Sequence, residues 1–287
     1  MDGTKYRDGF LTVTDGIRLH YRDYPGRGGH APILCLPGLT RNSRDFAQFA
    51  DAFSPRFRVI ALDFRGRGDS DHDPVPARYN PLTYAGDVQQ LLDRLGIGQA
   101  IFVGTSLGGL VMMILATMAP GRIVAAILND VGPELEQAGL ARIKSFVGKD
   151  LRFKSWDEAG AAIAGNNAHL PASYSSSDWS KAARRACREK NGEIRFDYDM
   201  AIANVFSAAN AGAKVDLWPM FSTLARKPLL LVRGEKSDLL SDATLERMIQ
   251  AAPQARFVVV AGAGHAPTLT EPDAVAAIDE FLGEVAP

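Results

Sequence analysis

Ala100-Ile-Phe-Val-Gly-Thr-Ser106-Leu-Gly-Gly-Leu-Val-Met-Met-Ile-Leu-Ala-Thr-Met118 joins a short apolar run to a longer one through five residues that read Gly-Thr-Ser-Leu-Gly. The first run, residues 100–103, shows no polar alternation, as expected of a strand buried on both faces. The second, residues 107–118, is long enough for a helix and apolar on every side, which predicts a buried helix. A strand that turns sharply into a helix strains its turn residue, and side chains two positions before and two after would strike neighbouring backbone. Gly104 and Gly108 remove those collisions. Ser106 therefore stands at the tip of the turn, with the unpaired N–H groups of the helix start aimed at the space above it. That is the placement of a nucleophile.

Similar unalternated runs recur at 33–36, 59–62, 123–128, 229–232 and 257–260, and helical patterns lie between them at 44–53, 81–95, 242–251 and 272–282. Strand and helix in alternation predict a mostly parallel central sheet with helices on both faces, an α/β architecture. Near the start, residues 10–14 and 17–21 alternate around Asp15-Gly16, which predicts an N-terminal antiparallel hairpin with a two-residue link. One interval breaks the rhythm. From Gly132 to about Lys227 no strand of comparable quality occurs, and helical patches near 134–147, 156–164, 178–190 and 199–209 take its place. This predicts a helical cap insertion over residues 133–212 and a core formed by residues 1–132 and 213–287.

The composition is that of an ordinary globular protein: 287 residues, 46% hydrophobic and 23% charged, enough to bury a core of this kind. A formal net charge of −1 argues against a protein built around the phosphate backbone, so nucleic acid is not an expected partner. Cys35 and Cys187 form no CxxC pair and no zinc spacing, which excludes a disulfide scaffold and a structural zinc site. The residues from Met1 to Asp8 lack the apolar stretch of a secretory signal. The most apolar segment, 107–119, is shorter than the roughly 17–25 residues that cross a bilayer. Both points predict a cytoplasmic protein with no membrane partner. Oligomeric state is not written in the sequence.

A serine hydroxyl needs a neighbouring base. His265, in Ala261-Gly-Ala-Gly-His265-Ala-Pro267, follows the last strand and so falls at the carboxyl edge of the sheet, where ligands bind in such folds. His20 lies in the hairpin, His30 in a Gly-rich link, His72 between two aspartates and His169 in the cap, all weaker positions. The base in turn needs an acid that holds its tautomer. Asp238, in the loop after the penultimate strand, is the expected acid and gives the chain order Ser106, Asp238, His265. Asp130, after the strand at 123–128, and Glu235 are the competitors.

With Leu36-Pro-Gly-Leu-Thr40, Leu62-Asp-Phe-Arg-Gly-Arg-Gly-Asp-Ser70, Gly104-Thr-Ser-Leu-Gly-Gly109, Gly234-Glu-Lys-Ser-Asp238 and Gly264-His265 in place, the chain resembles the α/β-hydrolase fold family over essentially its whole length. The resemblance implies that the backbone N–H groups of Leu39 and Leu107 form an oxyanion hole. It departs from many relatives in having Pro37-Gly38 where they carry His-Gly. Relatives that remove halogen or open epoxides use an aspartate where Ser106 stands, and ring-fission hydrolases often place Asn where Thr105 stands. The implied activity is hydrolysis of a small or medium carboxylic ester through an acyl-enzyme, with no cofactor and no metal. A carbon–carbon hydrolase or lactonase, or a non-enzymatic ligand receptor on the same scaffold, are the alternatives. Phe146, Trp156, Trp179 and Phe206 are the expected lining of the substrate pocket under the cap.

Three further motifs have bland readings. Arg65-Gly-Arg-Gly68 reads as a structural turn after a strand. Asp71-His72-Asp73 are adjacent loop residues that rarely converge on one ion. The basic run from Lys181 to Lys190 reads as a solvated face of the cap, with a site for an acidic substrate group as its alternative.

Overall fold

A computed structural model describes residues 5–166, 174–206 and 215–286. His169 and residues 207–212 of the expected cap lie outside the described residues.

The chain opens with β1 (Arg7–Thr12) and β2 (Arg18–Tyr24), paired antiparallel with Leu11 opposite Leu19. The connection is wider than the expected two-residue link. Val13 N–H donates to Ile17 O and Gly16 N–H to Val13 O, and Gly16 takes φ +89°, so a tight turn is followed by a left-handed glycine. Next come β3 (Ile33–Leu36), α1 (Ala47–Phe53), β4 (Val59–Asp63), α2 (Pro81–Arg94), β5 (Ala100–Thr105), α3 (Leu107–Met118) and β6 (Ile123–Asn129). Asn80 caps α2 by accepting from Thr83 N–H, and Pro81 stands at its first position, a start that needs no N–H there.

The chain then leaves the sheet for about a hundred residues. α4 (Gln137–Phe146), α5 (Trp156–Asn166) and α6 (Ser176–Ala186) supply three of the four expected helical patches, and the fourth, near 199–209, is a 3-10 helix at Met200–Phe206 with 207–209 outside the described residues. The excursion is not all helical, however. β7 (Arg152–Phe153), β8 (Cys187–Lys190) and β9 (Glu193–Phe196) form a separate antiparallel sheet in the order β7-β9-β8. Its hairpin turns on Asn191 and Gly192, both at positive φ, with Lys190 opposite Glu193. Asn-Gly is the favoured pair for a two-residue turn of this hand, and α6, which the sequence pattern carried on to 190, ends at Ala186 where Cys187 turns extended. Phe153, Ala159, Ile163, Ala183 and Ile194 bury a small core of their own in this region.

α7 (Trp218–Leu224), β10 (Leu229–Gly234), α8 (Asp242–Ala251), β11 (Arg256–Val260) and α9 (Pro272–Val285) complete the fold. The main sheet has eight strands in the order β1-β2-β4-β3-β5-β6-β10-β11, parallel from β4 to β11, with β2 antiparallel to β4. The central strands are buried except at Thr105 and Val124, which are half-buried, and β11 at the edge alternates, exposing Phe257 and Val259. Two apolar cores lie on opposite faces. One packs α2, α3 and α7 around Phe102, Leu128 and Leu231, and the other packs α1 and α9 around Val103, Ile127 and Val232. Each fully buried side chain of this size contributes roughly 1.5–3 kcal/mol. α3 is buried on both its sheet side and its outer side, which is why it is apolar all round.

Candidate active site

β5 and β6 pair in register with Thr105 opposite Asn129. The residues that follow these partners, Ser106 and Asp130, are therefore neighbours at the carboxyl edge, where Ser106 N–H donates to Asn129 O. Both are held at positive φ, 52° for Ser106 and 55° for Asp130, a region that costs a non-glycine residue and tends to persist at functional turns. The turn is packed as tightly as the motif demands. A methyl on Gly108 would sit 2.1 Å from Leu36 O, and one on Gly104 2.7 Å from the backbone of Gly108 and Gly109.

His265, in the loop between β11 and α9, joins the two. Its Nε2 lies 3.0 Å from Ser106 Oγ and its Nδ1 2.7 Å from Asp130 Oδ2. Asp130 is fully buried and filled with donors: Gly234 N–H reaches Oδ1 at 2.8 Å, and Ser237 Oγ–H reaches Oδ2 at 2.6 Å. Ser237 is itself fixed, because its oxygen accepts from Leu239 and Leu240 N–H. The expected acid, Asp238, is elsewhere. Its carboxylate accepts two hydrogen bonds from the Arg142 guanidinium of α4, and this pairing holds its pKa below the usual carboxylate range. The loop after β10 thus reaches the site through the Ser237 hydroxyl, one residue before the aspartate that the chain order favoured. Glu235, the other competitor, accepts from Gly262 N–H. The structure accordingly puts Asp130, the alternative, in the place assigned to Asp238.

Leu39 and Leu107 flank Ser106 from two sides. A methyl on Gly38 would lie 3.8 Å from Ser106 Cβ, so the loop after β3 abuts the serine. Arg67 Nε donates to Leu39 O at 2.9 Å and pins that segment. Neither the Leu39 nor the Leu107 N–H has a hydrogen-bond partner among the described residues, so both donors are open.

A cavity of about 210 Å³ opens above Ser106 and His265. Phe146 and Trp179 line it, as expected. Trp156 and Phe206 do not. Trp156 stands at the start of α5 and packs against the small core, with Arg184 stacked 4.4 Å above its ring, and Phe206 packs against the main core. Arg41, Arg142 and Tyr174 are lining residues that the sequence reading did not single out, and Arg185, which also lines the cavity, belongs to the basic run from Lys181 to Lys190.

The remaining motifs are structural. Arg65 is buried and bonded to Asp15, Asp73 and Asp87, and Arg67 to Leu39 O, Arg65 O and Tyr84. Asp71, His72 and Asp73 diverge toward Arg18, Asp199 and Arg65. Among the described residues one group, His20, Asp63 and Asp69, could gather around a metal. Its atoms are already engaged: Asp63 accepts from His20, Ser43 N–H and Asp69 N–H, and the second ring nitrogen of His20 faces Asp8 at 2.8 Å. No described helix is long and apolar enough to cross a membrane.

A family model described as alpha/beta hydrolase fold matches residues 31–272. Among curated proteins, the chain is 31% identical to a 3-hydroxybutyrate-oligomer hydrolase of Cupriavidus necator, over 96% of this chain and 97% of that one. It is 30% identical to a 2-(acetamidomethylene)succinate hydrolase of Mesorhizobium japonicum, over 93% and 92%. Among solved structures, an alpha/beta hydrolase from Novosphingobium aromaticivorans superposes with a TM-score of 0.92 at 43% identity, covering 97% of this chain and 98% of that one.

Proposed function

We propose that the chain, which belongs to the α/β-hydrolase fold family, cleaves a small or medium carboxylic ester through an acyl-enzyme, with Ser106 as nucleophile, His265 as base and then acid, and Asp130 as the carboxylate that orients it. The observation that carries this reading is the continuous chain of contacts from Ser106 Oγ through both nitrogens of His265 to Asp130. Asp130 accepts from Nδ1–H, which leaves Nε2 unprotonated and facing the serine hydroxyl. As Oγ attacks the ester carbonyl its proton passes to Nε2. The imidazolium so formed faces a carboxylate that two other donors already hold in place. The oxyanion falls to the N–H groups of Leu39 and Leu107, each such donor contributing about 2.7–4 kcal/mol to the transition state. Collapse expels the alcohol with the proton from His265, and water repeats the sequence to release the acid.

Residues 133–212 serve as a cap over the carboxyl edge of the core, 1–132 and 213–287, with Phe146 and Trp179 facing the acyl or alcohol group. One curated relative is named for hydrolysing 3-hydroxybutyrate oligomers and the other 2-(acetamidomethylene)succinate, which supports a substrate of that kind rather than a macromolecule here. Labelling with a fluorophosphonate followed by peptide mass spectrometry should find the adduct on Ser106, and Ser106→Ala should lower turnover of p-nitrophenyl butyrate on the order of 10⁶-fold. Retained turnover in that variant would overturn the reading, and ligand binding without turnover by the unmutated protein would favour a receptor.

A further inference from the structure

Trp179, Ala182, Arg185 and Ala186 share the face of α6 that lines the cavity above Ser106. Other cations of this basic segment have partners away from it: Lys181 bonds Asp178, Arg184 stacks on Trp156, and Arg188 reaches Asp69 and Asp197. Arg185 differs from them.

Three guanidiniums line the cavity. Arg41 grips Asp45 through two hydrogen bonds and Arg142 grips Asp238 through two, so both forks are closed. Arg185 makes no side-chain hydrogen bond among the described residues. Its nearest carboxylate is Asp45, 3.7 Å from Nε and already held by Arg41. The side chain is nevertheless only 25% exposed. Burial disfavours its charge and the neighbouring Arg41 repels it, and together they outweigh the attraction of Asp45, so that its pKa lies below the usual arginine value. A guanidinium that is three-quarters buried and makes no hydrogen bond to the described residues keeps its donors open to a partner that enters the cavity. The backbone that carries this side chain is held in position, because Arg185 O accepts from Asn42 Nδ2 at 3.1 Å and from Arg44 Nε at 3.0 Å, which ties this end of α6 to the core.

We propose that Arg185 determines specificity by pairing with a free carboxylate on the substrate, so that the preferred substrates are carboxylate-bearing esters such as dicarboxylic hemiesters or acylated hydroxy acids. The inference rests on the ester-hydrolase reading of Ser106. A planar carboxylate matches the guanidinium fork. With Asp45 closing the fork of Arg41 and Asp238 that of Arg142, Arg185 offers the cavity one open guanidinium fork among the described residues, which suits a monoanion better than a phosphate monoester of about two negative charges.

The test compares ester pairs that differ only in carboxylate against carboxamide. Mono-p-nitrophenyl glutarate and its carboxamide carry the group on the acyl side, and 3-acetoxypropionate and its carboxamide carry it on the alcohol side. At least one pair should show a carboxylate preference in kcat/KM of tenfold or more. Arg185→Gln should reduce that preference by about 10–100-fold, the worth of a charge-assisted hydrogen bond, and Arg185→Lys should retain part of it. The same probes binding to Ser106→Ala, measured by calorimetry, should show the same preference and the same dependence on Arg185. A preference absent from both pairs, or unmoved in both glutamine and lysine variants, overturns the proposal while turnover of the carboxamide esters upholds the hydrolase reading. If no ester is turned over, the hydrolase reading fails, and the calorimetric comparison decides the role of Arg185 by itself.

Discussion

Replacing Asp130 by Asn separates the acid at the site from the acid favoured by chain order. The carboxylate accepts from His265 Nδ1, Ser237 Oγ and Gly234 N–H at 2.6–2.8 Å. An amide keeps one acceptor oxygen, and with Gly234 N–H holding it the NH₂ must face Ser237 and His265. Nδ1 then becomes the acceptor, the ring proton moves to Nε2, and Ser106 loses its base. Loss of the correct tautomer lowers kcat by about 10⁴, or about 5 kcal/mol of transition-state stabilisation. Asp238→Asn instead loosens the ion pair with Arg142, whose side chains are 20% and 17% exposed. That change costs about 1–2 kcal/mol of stability and less than tenfold in rate. The assay is steady-state hydrolysis of p-nitrophenyl butyrate with melting curves for both variants, so that unfolding is not mistaken for lost chemistry. Asp130→Asn should be folded and nearly inactive, and Asp238→Asn active with a melting point lower by roughly 2–8 °C. A collapse of activity in the Asp238 variant with normal rates in the Asp130 variant would refute the argument.

Phe146→Ala and Trp179→Ala should each change the kcat/KM ratio between short and long acyl esters by roughly tenfold, whereas Trp156→Ala and Phe206→Ala should lower all chain lengths alike; the reverse pattern would place the pocket elsewhere. Gly108→Ala should lose at least about 3 kcal/mol by urea denaturation, since its methyl meets the Leu36 carbonyl and backbone cannot swing aside. Gly283→Ala, in open space on α9, should gain up to about 1 kcal/mol. His20 is buried, which lowers its pKa, but Asp63 and Asp8 outweigh burial and raise it. A raised folded pKa stabilises fully below about 6.5 and is lost as pH rises through the folded value. The stability advantage over His20→Asn should therefore shrink between pH 6 and 9, and a constant difference would show that His20 does not titrate in that way.

The sequence by itself determined the strand-to-helix turn at Ser106, the order of strands and helices, and His265 as the histidine that meets Ser106, because each depends on neighbours along the chain. The spacing of Gly104 and Gly108 answers a steric demand that five residues impose on themselves, and the unalternated runs report burial on two faces. Asn191-Gly192 was equally local, yet the Ala- and Arg-rich helix before it masked the hairpin, because Cys187–Lys190 shows no apolar alternation and only Glu193–Phe196 does. Only the tertiary structure decided between Asp130 and Asp238. Both follow strands that end at the same edge, and their separation from His265 is set by β5–β6 register, by the Ser237 hydroxyl, and by Arg142, which arrives from α4 and takes the carboxylate of Asp238. The same holds for the pocket. Whether an aromatic side chain of the cap turns toward Ser106 or away depends on how α4, α5 and α6 pack on one another and on the core. A hydrophobic pattern shows that a helix face is buried, and the partner that buries it comes from residues distant in the chain.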